Sequence, residues 1–409
     1  MKLLQGAVRP YAWGSRTAIA ELLGTAVPAP HPQAELWLGA HPAAPSLLEG
    51  GGTLLDAVLA DPVHQLGAWC AAQWGSRLPF LLKVLAADEA LSLQAHPSAQ
   101  QAAAGFAREE ALGIPLGAPE RNYSDPHHKP ELVVALTEFA ALAGFRNPAR
   151  SVELLTALAT GERGAPGLVP YRELLAGQPD ADGLRALFTT WITLPQPAID
   201  ALLPPVLDAC VALVRAGGPF ATECRTVLAL AEVHPHDVGV LGAALLEHIV
   251  LAPGEALYIP AGSLHTYLRG TAVEIMANSD NVLRGGLTPK HVDVPELVRV
   301  LDFTRGELPV LRGERCGPRE TSYPTPALEF RLSRLDWPAD DTLPVGLACG
   351  GPQILLCTDG DGYLTAADGR SLPVRRGACV WLAASDPDVT VCPGGGGLQL
   401  FRATSRPTC

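Results

Sequence analysis

The spacing of apolar residues changes several times along the chain, and each change marks a different kind of element. Up to residue 97 they come in short clusters closed by Gly or Pro, as in Arg9-Pro-Tyr-Ala-Trp-Gly-Ser15 and Ala34-Glu-Leu-Trp-Leu-Gly-Ala-His-Pro42. That punctuation predicts short strands and turns. Leu54–Ala60 has helical spacing with Thr53 as its N-cap. Leu78-Pro-Phe-Leu-Leu-Lys-Val-Leu85 is an unbroken apolar run of strand length that carries one lysine. Ser98 is placed to cap a helix through Glu110. The polar loop Asn122-Tyr-Ser-Asp-Pro-His-His-Lys-Pro-Glu131 then delivers two His, a Lys and a Glu onto the strand pattern Leu132–Thr137.

From Asn147 to Glu247 the period becomes helical, in Ser151–Leu158, Leu184–Phe188, Val206–Val214 and Thr226–Ala231. This block reads as a helical insertion without strong chemical motifs. Strand patterning resumes near Ile249 and continues to Asp302, and residues 322–409 form a second β-rich region. No histidine follows His291, so that second region cannot repeat a histidine-based site. The Gly394–Gly397 run lacks a following Lys-Ser/Thr and is a turn, not a phosphate loop.

Composition narrows the function. A chain of 409 residues, 48% hydrophobic and 18% charged, holds two or three packed domains. A formal net charge of −12 argues against nucleic-acid or anionic-membrane surfaces. An anionic ligand must then be met by local cations, and only four of the 30 basic residues are Lys, at positions 2, 83, 129 and 290. Nine cysteines without a CxxC pair, and no evident signal peptide, favour a reducing cytoplasm. No apolar run of about 18 residues free of charge, Pro or Gly is evident, so no membrane span is expected.

The candidate chemistry centres on Gly254-Glu-Ala-Leu-Tyr-Ile-Pro-Ala-Gly-Ser-Leu-His265. A glycine turn feeds an alternating strand, Pro-x-Gly makes the next turn, and an imidazole enters the barrel just beyond it. In Leu91-Ser-Leu-Gln-Ala-His-Pro97, Gln94 and His96 are two residues apart and share a strand face. Glu131 offers a carboxylate from a neighbouring strand. Two imidazoles, one carboxylate and one amide oxygen suit a divalent ion of zinc type with positions left open, although glutamine is an uncommon zinc ligand.

The spacing Gly254-x5-Pro260-x-Gly262-x2-His265 resembles the second motif of the cupin barrel, with Arg269 where Asn is usual. Leu91–Pro97, His128-Lys-Pro-Glu131 and Val273-Glu-Ile-Met-Ala-Asn-Ser-Asp-Asn-Val-Leu-Arg-Gly-Gly-Leu-Thr-Pro-Lys290 closely resemble the type I mannose-6-phosphate isomerase family. Tyr11–Ser15, Ala34–Gly39, Leu78–Lys83 and Ala141–Arg146 resemble it too. The match is specific over 1–150 and 235–303 and holds only in outline elsewhere.

The resemblance implies a mainly β fold: a discontinuous metal-binding cupin (jelly-roll) barrel at 1–146 and 248–303, a helical insertion at 147–247, and a cupin-like barrel without metal ligands at 304–409. It implies one Zn2+ on Gln94, His96, Glu131 and His265, and a small phosphorylated sugar as substrate. The implied activity interconverts mannose 6-phosphate and fructose 6-phosphate through a cis-enediol. The pocket residues it implies are Ser92, Lys129, Glu274, Asp280, Arg284 and Lys290.

Within that frame Asp280 or Glu274 is the carboxylate base, and His128 with Lys129 serves ring opening or proton transfer. Arg284 meets phosphate or enediolate charge unless it forms an internal pair with Glu274. Lys83, Ser92 and Lys290 are substrate-binding candidates. His127, where the family often has Asn, is expected on the surface. A cytoplasmic monomer without nucleic-acid or membrane partners is the expectation. The competing readings are an isomerase of another sugar phosphate or free aldose, a silent sugar-binding cupin, and a cupin dioxygenase. The last would need His-x-His and a nearby Glu where Gln94 stands.

Overall fold

The 13-residue strand His265–Ala277 is the spine of the first barrel. Its second part pairs antiparallel with Phe80–Ala87 on one edge and, through Ala272–Met276, with Glu131–Ala135 on the other. Its first part turns away to pair with Phe139–Phe145, and His265 itself pairs with Gln94. The bend falls at Gly270, where φ is 114° and a Cβ would lie 2.5 Å from the Glu138 carbonyl oxygen. Only glycine fits such a corner. These coordinates are a computed structural model, and they describe residues 1–160, 163–304 and 306–405.

Period-two alternation sorts the side chains of these strands onto two buried faces. Val133, Ala135, Leu85, Ala87 and Ala272 point into the barrel. Leu132, Val134, Leu82, Val84, Val273 and Ile275 point outward into a second core that also contains Trp381, Phe401, Leu332 and Ile354 from the C-terminal sheet. Burial on both faces explains why Leu78–Leu85 is an apolar run and not an alternating strand. It also means that the strand carrying Glu131 shares a hydrophobic core with the second barrel.

That second sheet is built on the long strands Gln353–Ala366 and Val389–Thr404, paired along most of their lengths. It also recruits the beginning of the chain: Lys2–Gln5 pairs with Cys379–Leu382. Conversely Val310–Leu311 pairs with Ala256–Leu257 in the first sheet. The first strand of the chain and the strand that opens the C-terminal region thus cross between the barrels.

Helices Pro148–Thr160, Val169–Gly177, Ala181–Ile192, Gln196–Ala216 and Ala221–Val233 form the insertion. Its core, with Phe188, Trp191 and Leu203, is continuous with Leu93, Leu142, Leu264 and Leu287 of the barrel. Among the described residues Gln196–Ala216 is long and apolar enough to cross a membrane, with mean hydropathy 1.7. It carries Asp200, Asp208 and the internal Pro204 and Pro205, so it is not an unbroken apolar run. Its buried residues Leu202, Leu203 and Val206 belong to the insertion core.

Both expected caps are present. Thr53 Oγ1 accepts from the Asp56 N–H at 3.0 Å, and Ser98 closes a capping box with Gln101 at the head of Ala99–Ala111. Eight cysteines are free, six of them buried; Cys409 lies outside the described residues.

Candidate active site

Strand register assembles the site. Gln94 pairs with His265 on one side and with Arg284 on the other. Glu131 is brought alongside by its pairing with Met276 on the strand that begins at His265. The donor atoms of His96, Glu131 and His265 all lie within 4.8 Å of one another, on residues that are all buried. His96 Nε2 is 3.2 Å from Glu131 Oε1, and His265 Nε2 is 3.4 Å from Glu131 Oε2.

The far side of each ring fixes its tautomer. His96 Nδ1 lies 2.8 Å from the Asn281 carbonyl, and His265 Nδ1 lies 3.0 Å from the Ser263 carbonyl. A carbonyl only accepts, so each Nδ1 carries the proton and each Nε2 presents a lone pair. Burial pushes the His96 imidazole down to about 4, which keeps it neutral. Two lone pairs thus face a carboxylate in a buried space, and His96 Nε2 has no hydrogen-bond partner among the described residues. A divalent cation satisfies all three groups at once. The donor set and its carbonyl-anchored rings fit zinc.

A cavity of about 570 Å³ opens beside these ligands, and Gln94 borders it. Lys83, Ser92, Lys129, Asp280, Arg284 and Lys290 border it too. Lys129 Nζ is 3.4 Å from Glu131 Oε1. Among the described residues no carboxylate pairs with Arg284 or Lys290, and burial pushes both cations down. Arg284 also presses on Lys290 by charge, so the two form a corner that lacks an anion.

Two expected members stand elsewhere. Glu274 does not reach the cavity wall: it lies directly across the sheet from Lys83, with Oε2 3.1 Å from Nζ. It therefore pairs with Lys83, not with Arg284. Glu35 Oε1 flanks the same ammonium at 3.4 Å. Burial alone would push Lys83 down, but Glu35 and Glu274 raise it above the ordinary lysine value.

His128 is the second correction. It hydrogen-bonds Glu329 of the C-terminal region at 2.5 Å beside a separate cavity of about 230 Å³ that His127 and Arg77 also border. Alternation gives the reason: Lys129 and Glu131 share one face of the extended chain, and His128 falls on the other. His127 is exposed, as expected.

The structure adds residues that the sequence reading did not single out. Glu35 and Trp37 join the Lys83 row, with Trp37 Nε1–H donating to Glu35 Oε2 at 2.7 Å. His41 reaches Asp280, and His234 of the insertion borders the cavity. The i, i+2 spacing of Glu35 and Trp37 was a usable signal; His234, at a helix end, gave none.

Fold and site together define a cupin-type metalloprotein with a buried two-histidine, one-carboxylate centre beside a cationic cavity. Known proteins are similar to this chain in sequence and fold. The family model for phosphomannose isomerase type I, catalytic domain, matches residues 1–148. The mannose-6-phosphate isomerase of Escherichia coli (strain K12) is 38% identical over 404 residues, covering 96% of this chain and 97% of that one. The mannose-6-phosphate isomerase of Bos taurus is 31% identical over 410 residues, covering 93% and 92%. The crystal structure of mannose 6-phosphate isomerase from Salmonella typhimurium bound to substrate and zinc superposes with a TM-score of 0.86. Its identity is 35%, with 100% of each chain covered. This chain belongs to the type I phosphomannose isomerase family.

Proposed function

We propose that the protein is a zinc-dependent isomerase of mannose 6-phosphate and fructose 6-phosphate, with one Zn2+ on Gln94, His96, Glu131 and His265. The observation that carries this reading is the shared cavity: Gln94, Lys129 in contact with Glu131 of the lone-pair cluster, and the anion-free corner of Arg284 and Lys290 all border one space. A phosphate dianion fits that corner by a guanidinium fork and an ammonium point charge. The sugar then extends toward Gln94 and Lys129.

Asp280 is the base, because it borders the cavity and Glu274 does not. It removes the C2 proton of the open-chain aldose; the C–H electron pair forms the C1–C2 double bond and the C1 oxygen gains a proton. Return of a proton to C1, with loss of the O2 proton, gives the ketose. Lys83, kept charged by Glu35 and Glu274, and Lys129 donate to the developing oxyanions, and Ser92 orients a sugar hydroxyl. Zinc at its ligands adds Lewis-acid stabilisation of that charge. His128 acts at a distance, tying the Lys129–Glu131 loop to Glu329.

The division into a barrel at 1–146 and 248–303, an insertion at 147–247 and a barrel at 304–409 is part of this proposal, with Lys2–Gln5 and Val310–Leu311 each pairing in the other barrel's sheet. So are a monomeric state and a cytoplasmic setting, which the free thiols support. Purified protein should convert mannose 6-phosphate in a coupled assay, lose activity to a chelator and regain it with zinc. A panel of glucose, ribose and arabinose phosphates should turn over far more slowly. Full activity after complete metal removal would overturn the reading.

A further inference from the structure

Asp280 is held from two sides. Its own N–H donates to Asp125 Oδ2 at 2.9 Å, which fixes the backbone. Its carboxylate, half exposed to the cavity, lies 3.3 Å from His41 Nε2. His41 is buried, with 3% of its surface exposed, and does not itself border the cavity.

Two contacts besides that with Asp280 fix the imidazole. Nδ1 is 3.2 Å from the Ala43 N–H; a backbone N–H only donates, so Nδ1 is the acceptor and the ring proton sits on Nε2, facing Asp280. The ring stands edge-on to Trp37, with centroids 4.7 Å apart and planes at 68°. Trp37 is anchored in turn by Glu35, the carboxylate that also holds Lys83. Tautomer and tilt are thus set by different partners. The 3.3 Å separation is that of a long hydrogen bond, of the kind that tightens when substrate binds.

We propose that His41 is a positioning residue of the isomerisation, a neutral Nε2–H donor that aims the Asp280 carboxylate into the cavity and holds it as an anion. This rests on the assignment of Asp280 as base. The groups facing Asp280 are His41, the Lys129 and Lys83 ammoniums, and Asp125 at its backbone. Burial pushes the Asp280 carboxyl up, and His41 followed by the two lysines outweighs it, leaving the group below its ordinary value. Without the His41 donor the carboxyl rises, the base form is lost at higher pH, and the acid limb of kcat/KM moves toward neutrality.

The test compares zinc-loaded wild type, H41L, H41Q and D280N. H41L should lower kcat about 10- to 100-fold, the scale of a hydrogen bond to a charged group, with KM changed little and the acid limb shifted upward. H41Q, which keeps an N–H donor, should recover much of both. Wild-type kcat and acid limb in H41L would overturn the proposal, as would equal losses in H41L and H41Q with an unshifted limb. If D280N retains wild-type kcat, the base assignment itself falls; if D280N collapses while H41L does not, only the role of His41 falls. Should H41L fail to fold, imidazole 15N shifts of the wild-type protein decide: an Nε2–H tautomer supports the proposal and an Nδ1–H tautomer overturns it.

Discussion

His265 Nε2 lies 3.4 Å from Glu131 Oε2, and neither atom carries the proton that would make this a hydrogen bond. The contact is unfavourable until a cation enters, so the three residues are specified by metal and not by each other. E131Q keeps the shape of the side chain and removes its charge. It should lose bound zinc, read by elemental analysis, and turnover should fall in proportion to zinc content. Because the ligands bind metal only when deprotonated, zinc should also leave wild-type protein more readily as pH falls.

Arg284 is the reverse case, a cation bordering the cavity with no carboxylate partner among the described residues. Removing it breaks no ion pair of the fold. R284A should keep zinc and melting temperature, while kcat/KM for mannose 6-phosphate falls by about 10²–10³-fold, as expected for a lost charge-stabilising donor. R284K should recover only part of this, because an ammonium cannot replace the planar fork. A large drop in melting temperature for R284A would mean that the side chain is structural after all.

Lys83 is buried between Glu35 and Glu274 and also borders the cavity. K83M leaves two buried carboxylates without their cation and should cost about 3–5 kcal/mol in urea unfolding. Adding E274Q removes one of them and should return part of that stability. Turnover should not return with it. Recovery of activity in the double variant would show that Lys83 serves the fold alone.

The clustering of His96 and His265 was legible because local rules fix their direction: a Pro-x-Gly turn before His265 and an i, i+2 pair at Gln94 and His96. The Lys83–Glu274 pair was not, because it depends on the register of Phe80–Ala87 against His265–Ala277, which no local pattern states. His128 misled for a related reason: it adjoins Lys129 in sequence, yet alternation sends the two to opposite faces. His41 belongs to the Ala34–Pro42 segment but meets Asp280, far away in the chain. The crossing of Lys2–Gln5 and Val310–Leu311 between the barrels is likewise a pairing of segments remote in sequence.

Glu296 gives a pH prediction away from the metal. Burial raises its carboxyl, but hydrogen bonds from Arg299, Tyr123 and Arg108 hold it down at about 2, against an ordinary 4.5. The folded protein thus binds fewer protons than the unfolded chain between these values. The contribution is complete above about 4.5 and is lost as pH falls through about 2. E296Q should cost on the order of 1–2 kcal/mol at neutral pH, since both arginines are partly in water and screen the cluster. The melting-temperature gap between E296Q and wild type should close as pH drops through that window. A gap that is constant with pH would assign the effect to packing.

The C-terminal barrel has no histidine, and it meets the strand of Glu131 through a shared core. Phe401 is wholly buried in the core that also contains Leu132 and Val134, the outward residues of the strand whose inward end is Glu131. F401A opens a cavity against that strand and should cost about 3–5 kcal/mol. Since the strand positions a zinc ligand, the same change should speed zinc transfer to a chromogenic chelator at temperatures well below unfolding. A surface change such as R370A, on the exposed hairpin of the second barrel, should leave that rate unaltered. If F401A lowers stability but releases zinc no faster than wild type, the second barrel supports the fold without supporting the site.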